Sequence, residues 1–140
     1  MIFDLRVYGR PSPKGSVQFA RGVSFTPQKT RVAMHDLRMF TARYKADLKL
    51  ECPSSPIFTT ACRVTLIFSF LRPKSVKPKK RPHPSVKPDI DNLTKLVLDG
   101  LQPHILSDDC LVVRIEQSKI YGDEEFTDIF IEEMPLCSGL

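Results

Sequence analysis

Apolar and polar residues alternate over residues 2–8, and this period of two predicts a β-strand with Phe3, Leu5 and Val7 on one face. Two short stretches, 17–20 and 23–26, flank an Arg-Gly pair and predict a small hairpin. Residues 62–71 are rich in β-branched and aromatic side chains, which favours a central strand. Two more strands are predicted at 111–121 and 126–132, with a turn at 122–125 that would join them as a hairpin.

Two segments carry apolar residues at helical spacing. The first is predicted to start with Thr26 as N-cap and Pro27 at the first helical position, and to run to about Leu50, before Pro53. Its apolar residues at mostly helical spacing are Val32, Leu37, Phe40, Tyr44 and Leu48. The second is predicted over about 90–101, with one apolar stripe made of Leu93, Leu96, Val97 and Leu101. These elements predict an α/β (α+β) fold, in which a small mixed β-sheet packs against helices in a single domain over residues 1–140.

Residues 72–88, called the basic segment below, contain five prolines, seven Lys or Arg residues and no acid. Proline at this density prevents regular helix or sheet, so an extended, mobile loop is predicted. Its cations are candidates for sequence-independent contacts with phosphates, the alternative being a solvated linker. The candidate DNA-binding residues are Lys74, Lys77, Lys79, Lys80, Arg81 and Lys87.

The net charge of +5 is unevenly distributed along the chain. Residues 1–88 hold 18 basic and 4 acidic residues, whereas residues 89–140 hold 3 basic and 12 acidic residues. This asymmetry indicates a half that binds a polyanion and a half that holds local negative charge. The alternative is a protein that is merely dipolar and soluble.

The cysteines and the apolar runs suggest a cytosolic protein that makes no contact with membranes. No apolar run approaches the ~18 residues of a membrane span, and the N-terminus lacks the layout of a signal peptide. The sequence does not favour a zinc site, because the cysteines form no C-x-x-C pair and no His stands at metal-ligand spacing. Buried, reduced thiols are expected at Cys52, Cys62, Cys110 and Cys137.

Residues 88–95 read PDIDNLTK and place two carboxylates at the start of the second helix. One Asp there is an ordinary N-cap, but Asp89 and Asp91 together repel each other unless a cation lies between them. Ile90 is expected to pack inward between them. Lys95 follows Asp91 by four residues and shares its helix face, where the alternative is a solvated surface with weak ion pairs.

A second acidic pair, Asp108-Asp109, precedes the predicted strand at 111–121. If that strand begins near the helix start, Asp89, Asp91 and Asp109 share a pocket. Three carboxylates suit Mg²⁺, which activates water and stabilises phosphate oxygens, and Lys95 could orient the scissile phosphate. An EF-hand calcium loop does not fit, because its fifth, sixth and twelfth positions would hold Leu93, Thr94 and Gly100.

This pattern resembles the RusA family of Holliday-junction resolvases, which is common in phages and prophages. The resemblance rests on PDIDNLTK at 88–95, LDGL at 98–101 and DDCLV at 108–112. A weaker similarity lies at 8–11 and 25–31.

The resemblance implies a homodimer of α/β subunits that binds four-way DNA junctions in recombination and repair. It also implies paired nicks on opposing strands that depend on Mg²⁺, with Mn²⁺ as a substitute ion. By position it assigns Asp89, Asp91 and Asp109 to metal binding, Lys95 to catalysis and Asp108 to a supporting role at the metal. Two alternatives stay open: a non-catalytic nucleic-acid-binding protein, and a metal-dependent nuclease that cuts flaps or single strands.

Overall fold

The structure, a computed structural model, describes residues 1–16, 18–48 and 55–137. It confirms the predicted mixture of helices with a mixed sheet. Over these ranges neither helix has the length and hydropathy needed to cross a membrane. The elements are β1 (Ile2–Tyr8), β2 (Gln18–Ala20), β3 (Val23–Phe25), α1 (Gln28–Asp47), β4 (Cys62–Phe70), α2 (Ile90–Gly100), a 3₁₀ turn (Asp109–Leu111), β5 (Val112–Tyr121) and β6 (Phe126–Glu133).

Four strands form the main sheet in the order β1-β6-β4-β5. β4 pairs in parallel with β5 and antiparallel with β6, and β1 pairs antiparallel with β6. The prediction that β4 is central is confirmed. The prediction of a β5–β6 hairpin is wrong, because β4 lies between the two strands. The connection carries the chain across the end of β4, where the Gly122 amide donates to the Phe70 carbonyl at 2.9 Å.

A hydrophobic core lies between the helices and one face of this sheet. The predicted stripe of α2 is confirmed, since all four of its residues are buried against side chains of the sheet. The opposite face of the sheet carries charged pairs, among them Arg6–Asp128 at 2.6 Å and Arg114–Glu116 at 3.1 Å. The sheet core residues include Phe3, Val64, Leu66, Phe68, Ile129 and Ile131.

Helix α1 departs from its predicted start and from its predicted apolar stripe. Its N-cap is Pro27 rather than Thr26, because Pro27 still has extended backbone at φ −51° and ψ 143°. The buried residues are Thr30, Leu37, Thr41 and Lys45, while Val32 and Phe40 are exposed. The predicted end at Leu50, and Pro53, lie outside the described residues.

Burial, which was expected of all four cysteines, is found for one of the three that the structure describes. Cys62, Cys110 and Cys137 are free, but of these three only Cys62 is buried. The prediction of burial is therefore wrong for Cys110 and Cys137, which lie in the turn before β5 and in the C-terminal segment. Cys52 lies outside the described residues.

The two helices touch where Gly100 ends α2. A Cβ atom on Gly100 would lie 2.9 Å from Cγ and 3.2 Å from Cβ of Leu37 on α1, which is closer than such atoms pack. Leu37 is buried, so it has little room to move away. A glycine is therefore required here by the approach of α1 to α2.

We predict that Gly100→Ala destabilises the protein by about 1–2 kcal/mol, because overpacking costs more than the roughly 1 kcal/mol of helix propensity that alanine returns. Urea unfolding followed by circular dichroism measures the difference. In a Leu37→Ala background the same Gly100→Ala change should stabilise instead, because the contact is gone. Equal effects of Gly100→Ala in both backgrounds would contradict this packing.

Candidate active site

The start of α2 presents two carboxylates to solvent. Asp89 occupies the N-cap position with extended backbone (φ −71°, ψ 141°), and its carbonyl accepts the Leu93 amide at 3.1 Å. Among the described residues, no hydrogen bond joins the Asp89 side chain to the amides of the first helical turn. Ile90 packs against the core as predicted, and Asp89 and Asp91 are exposed on either side of it. Simple N-capping therefore does not account for either carboxylate.

Lys95 is the cation nearest to these carboxylates on the helix. Its Nζ lies 3.8 Å from the Asp91 carboxylate, and the two side chains are 62% and 64% exposed. A pair so loose and so exposed contributes only a few tenths of a kcal/mol. Lys95 is thus accessible to a phosphate. Asp99, four residues after Lys95 on the same helix face, pairs instead with Lys14 at 2.5 Å.

The basic segment folds back onto the ends of β4 and β5. The Arg72 guanidinium lies over the Tyr121 ring at 4.6 Å, and Arg81 Nε donates to the Tyr121 hydroxyl at 2.9 Å. Lys119 of β5 donates to the carbonyls of Val86 (2.6 Å) and Pro88 (2.8 Å), directly before Asp89. Hydrogen-bonded turns form within the segment, so the prediction of extended chain is wrong, while its mobility stays a prediction.

These anchors divide the predicted DNA-binding residues into two groups. Arg81 is half-buried and engaged with Tyr121. The remaining candidates project into solvent, where they are available to phosphates: Lys74, Lys77, Lys79, Lys80 and Lys87.

An open groove of about 430 Å³ borders Asp89. It is lined by residues 13–16, residues 87–89 and Asn92, and is called the carboxylate groove below. The Lys14 amide donates to the Asn92 carbonyl at 2.9 Å, which fixes the N-terminal loop along the first turn of α2. Lys14 and Lys87 therefore line the groove that borders Asp89, and the Lys14 ammonium is paired with Asp99.

Asp109 does not lie at the C-terminal ends of β4 and β5, where α2 begins. Parallel pairing sets Val112 opposite Cys62 at one end and Tyr121 opposite Phe70 at the other. Val112 and Lys119 are seven positions apart on β5, about 23 Å at about 3.3 Å per residue. Lys119, near the C-terminal end of β5, contacts Pro88, whereas Asp109 precedes Val112 at the N-terminal end of β5. Asp89 and Asp109 therefore lie toward opposite ends of this strand.

The expected shared pocket is therefore not formed within one chain. Within residues 1–16, 18–48 and 55–137, no group of three or more His, Cys, Asp or Glu residues is placed to hold a metal ion. The expectation failed because it assumed that β5 begins near the start of α2, which parallel pairing to β4 prevents. The metal-binding role of each carboxylate stays a prediction.

Asp108 and Asp109 have different surroundings in the structure. Asp108 Oδ1 accepts the Cys110 amide at 2.9 Å and so caps the 3₁₀ turn. This hydrogen bond lowers the pKa of Asp108 below its ordinary value. Asp109 is exposed at the first position of the turn. Asp108 thus holds the turn, and Asp109 presents its carboxylate outward.

The family model described as "Endodeoxyribonuclease RusA" matches residues 9–132, which is most of the chain. The chain belongs to the RusA endodeoxyribonuclease family. It is therefore a hydrolase that acts on DNA, and the family is one of metal-dependent Holliday-junction resolvases. The chain is also similar to "Uncharacterized protein YqaN" of Bacillus subtilis (strain 168), at 27% identity over 133 residues, covering 91% of this chain and 94% of that protein.

Sequence reasoning missed three residues that shape this RusA-family site: Lys14, Lys119 and Tyr121. Lys14 stands in a loop rich in Gly and Pro, just after the weaker similarity at 8–11, and could have been suspected. Lys119 and Tyr121 carry no local signal, because their importance comes from the basic segment that folds onto β5.

We predict that Asp108→Asn leaves DNA cleavage within a few-fold of the wild type, because an amide oxygen still accepts the Cys110 amide. Asp108→Ala should lower the melting temperature, because the hydrogen bond that caps the turn is lost. Thermal melts and cleavage rates of both variants measure this. If Asp108→Asn abolishes cleavage while keeping the melting temperature, Asp108 acts at the metal and not chiefly as a cap.

Proposed function

We propose that this enzyme is a magnesium-dependent resolvase that makes paired nicks on opposing strands of four-way DNA junctions, in recombination and repair. One observation carries the proposal: Asp89 and Asp91 stand exposed beside Lys95, where the basic segment ends. Exposed carboxylates that are held internally by no more than the loose Asp91–Lys95 ion pair, next to a surface that attracts phosphates, suit a hydrolase of the DNA backbone. Family membership supports the substrate class.

The oxygens of Asp89 and Asp91 fit a hard divalent cation, Mg²⁺ first and Mn²⁺ as a substitute. Such an ion supplies Lewis-acid stabilisation of phosphate oxygens and a more acidic water. The chain itself provides Lys95, whose exposed Nζ can approach a phosphate and offset negative charge as the bond breaks. Lys87, at the rim of the carboxylate groove, can hold the neighbouring phosphate against carboxylates that repel it.

We also propose that a homodimer completes the metal site, with Asp109 of the partner subunit joining Asp89 and Asp91. The separation of Asp109 from Asp89 along β5 supports this, since one chain brings only Asp89 and Asp91 together at the start of α2. A two-fold dimer would then hold two equivalent sites. Two sites related in this way suit one nick on each of two opposing strands.

The exposed lysines of the basic segment suit sequence-independent binding. Lys74, Lys77, Lys79 and Lys80 are exposed, and the segment holds no acid. Each phosphate that they neutralise releases a counterion, so affinity should fall steeply as salt rises. Junction shape rather than base sequence would then select the substrate.

We predict that the purified protein nicks a labelled four-way junction symmetrically in Mg²⁺, and leaves a plain duplex of the same length uncut. Asp91→Asn should slow cleavage by about 100- to 1,000-fold or more, because a ligand of the cation that would stabilise the reacting phosphate is lost. Its junction affinity should persist, since repulsion of phosphate falls. Denaturing gels and gel-shift titrations measure both.

A labelled flap serves as the matched substrate control. Preferential cutting of the flap would keep the site and replace the junction as substrate. Binding of the junction without cutting, in either Mg²⁺ or Mn²⁺, would favour the non-catalytic alternative. Loss of junction binding by Asp91→Asn, with its fold intact, would contradict the metal-ligand role.

We predict that two inactive variants, Asp91→Asn and Asp109→Asn, regain cleavage when their subunits are exchanged. A mixed dimer would hold one site with Asp91 from one chain and Asp109 from the other, both unaltered. Nicking should then return to about half of the wild-type rate per mixed dimer, on one strand at a time.

The control mixes Asp89→Asn with Asp91→Asn, which lie on the same helix start. Every site in that mixture lacks one carboxylate, so no cleavage should return. Recovery in neither mixture, with subunit exchange verified by differently tagged chains, would show that each chain builds its own site.

A further inference from the structure

The β2–β3 hairpin stands away from the core. Its strands are joined by Arg21 and Gly22, whose φ angles of 52° and 75° have the sign pattern of a type I′ turn. Every residue of both strands is exposed. Phe19 is 78% exposed, Val23 65% and Phe25 44%. An isolated hairpin this small is marginal in water, so these apolar side chains call for something that covers them.

Each face of the hairpin carries at least one large, exposed apolar side chain. The register pairs Gln18 with Phe25, Phe19 with Ser24 and Ala20 with Val23. Directly opposed residues share a face, so Phe19 projects from one face while Phe25 and Val23 project from the other. A hairpin that docks flat on a protein surface needs only one apolar face. Two apolar faces suit insertion between two flat apolar surfaces.

The base of the hairpin is fixed at the carboxylate groove. Ser16, which lines the groove, is two residues before Gln18. The Gly15 amide donates to Thr30 Oγ1 at 2.8 Å, and Lys14 is bonded to α2 through Asn92 and Asp99. A molecule whose backbone lies in the groove therefore passes beside the hairpin.

The charge around the hairpin selects the chemistry of that molecule. No acid occurs between Asp4 and Asp36, whereas Arg6, Arg10, Lys14, Arg21, Lys29 and Arg31 do. Arg21 stands at the tip itself. A polyanion that also offers flat apolar surfaces is a nucleic acid with exposed base faces. At the branch point of a junction, the end faces of neighbouring base-pair stacks are such surfaces.

We propose that the β2–β3 hairpin is a wedge that enters the branch point of a DNA junction, with Phe19 stacking on a base on one side and Phe25 and Val23 contacting a base on the other. Apolar side chains inserted between base steps unstack them, and Arg21 at the tip meets the phosphates. The inference rests on the proposed action of this enzyme on branched DNA. It assigns the hairpin to opening the branch point, apart from the chemistry at the carboxylates.

The test uses a junction with 2-aminopurine at the branch point, whose fluorescence rises when it unstacks. All chains carry Asp91→Asn, so that binding is measured without cutting. Phe19→Ser and Phe25→Ser should each lower the fluorescence rise and weaken junction affinity by about 10-fold, leaving affinity for a plain duplex unchanged. Met39→Ser is the matched control, because Met39 is 59% exposed on α1. It should behave as the parent chain, and all melts should agree because these side chains are exposed.

Each outcome separates the wedge from the proposed function. If the parent sequence with Asp91 intact cuts junctions but both Phe variants keep full fluorescence and affinity, the wedge is wrong and the resolvase stands. If that enzyme cuts no junction, the proposed function fails on its own measurement. If the Phe variants weaken duplex and junction binding equally and shift the sedimentation coefficient toward a monomer, the hairpin is a self-association arm and the wedge is overturned.

Discussion

Parallel pairing of β4 with β5 is the contact on which the position of every candidate site residue depends. A parallel pair needs a long crossover, and this chain makes it through the basic segment and α2. The crossover returns along the sheet, so α2 begins where β4 and β5 end. The same geometry places the start of β5, with Asp108 and Asp109 before it, at the opposite end of these strands. One pairing thus separates carboxylates that are only some 20 residues apart in the sequence.

The start of α2 is held in place at the C-terminal ends of β4 and β5 by hydrogen bonds that do not involve the two carboxylates. Lys119 bonds the Pro88 carbonyl, Thr94 donates to the Gln117 side chain, and the Lys14 amide bonds Asn92. Buried or half-buried polar groups of this kind are satisfied by one another and fix the local backbone. Asp89 and Asp91 are consequently positioned without using their carboxylate oxygens in these hydrogen bonds. That division of labour is typical of sites that must accept a ligand.

The basic segment, the carboxylate groove and the base of the hairpin all lie near the C-terminal ends of β4 and β5. The basic segment folds there on Tyr121, the carboxylate groove opens there, and the hairpin rises from the same N-terminal loop. A phosphate backbone drawn to the lysines would meet carboxylates that repel it unless a cation intervenes. The cations of the basic segment and two acids of the second half, Asp89 and Asp91, therefore lie at one surface. The acid-rich C-terminal strands contribute to it mainly through Lys119 and Tyr121.

The sequence by itself determined the elements whose signals are local. The bounds of β1 and α2, the hairpin around Arg21, and the exposure of Asp89 and Asp91 around an inward Ile90 follow from periodicity and from side chains a few residues apart. Helix α1 was less predictable, because its buried face is set by the close approach at Gly100 rather than by its own pattern. Only the tertiary structure decided that β4 separates β5 from β6, that Asp109 lies away from Asp89, and that the basic segment rests on Tyr121. Strand partners and their direction depend on contacts between segments far apart in the chain, and no local pattern of residues encodes them.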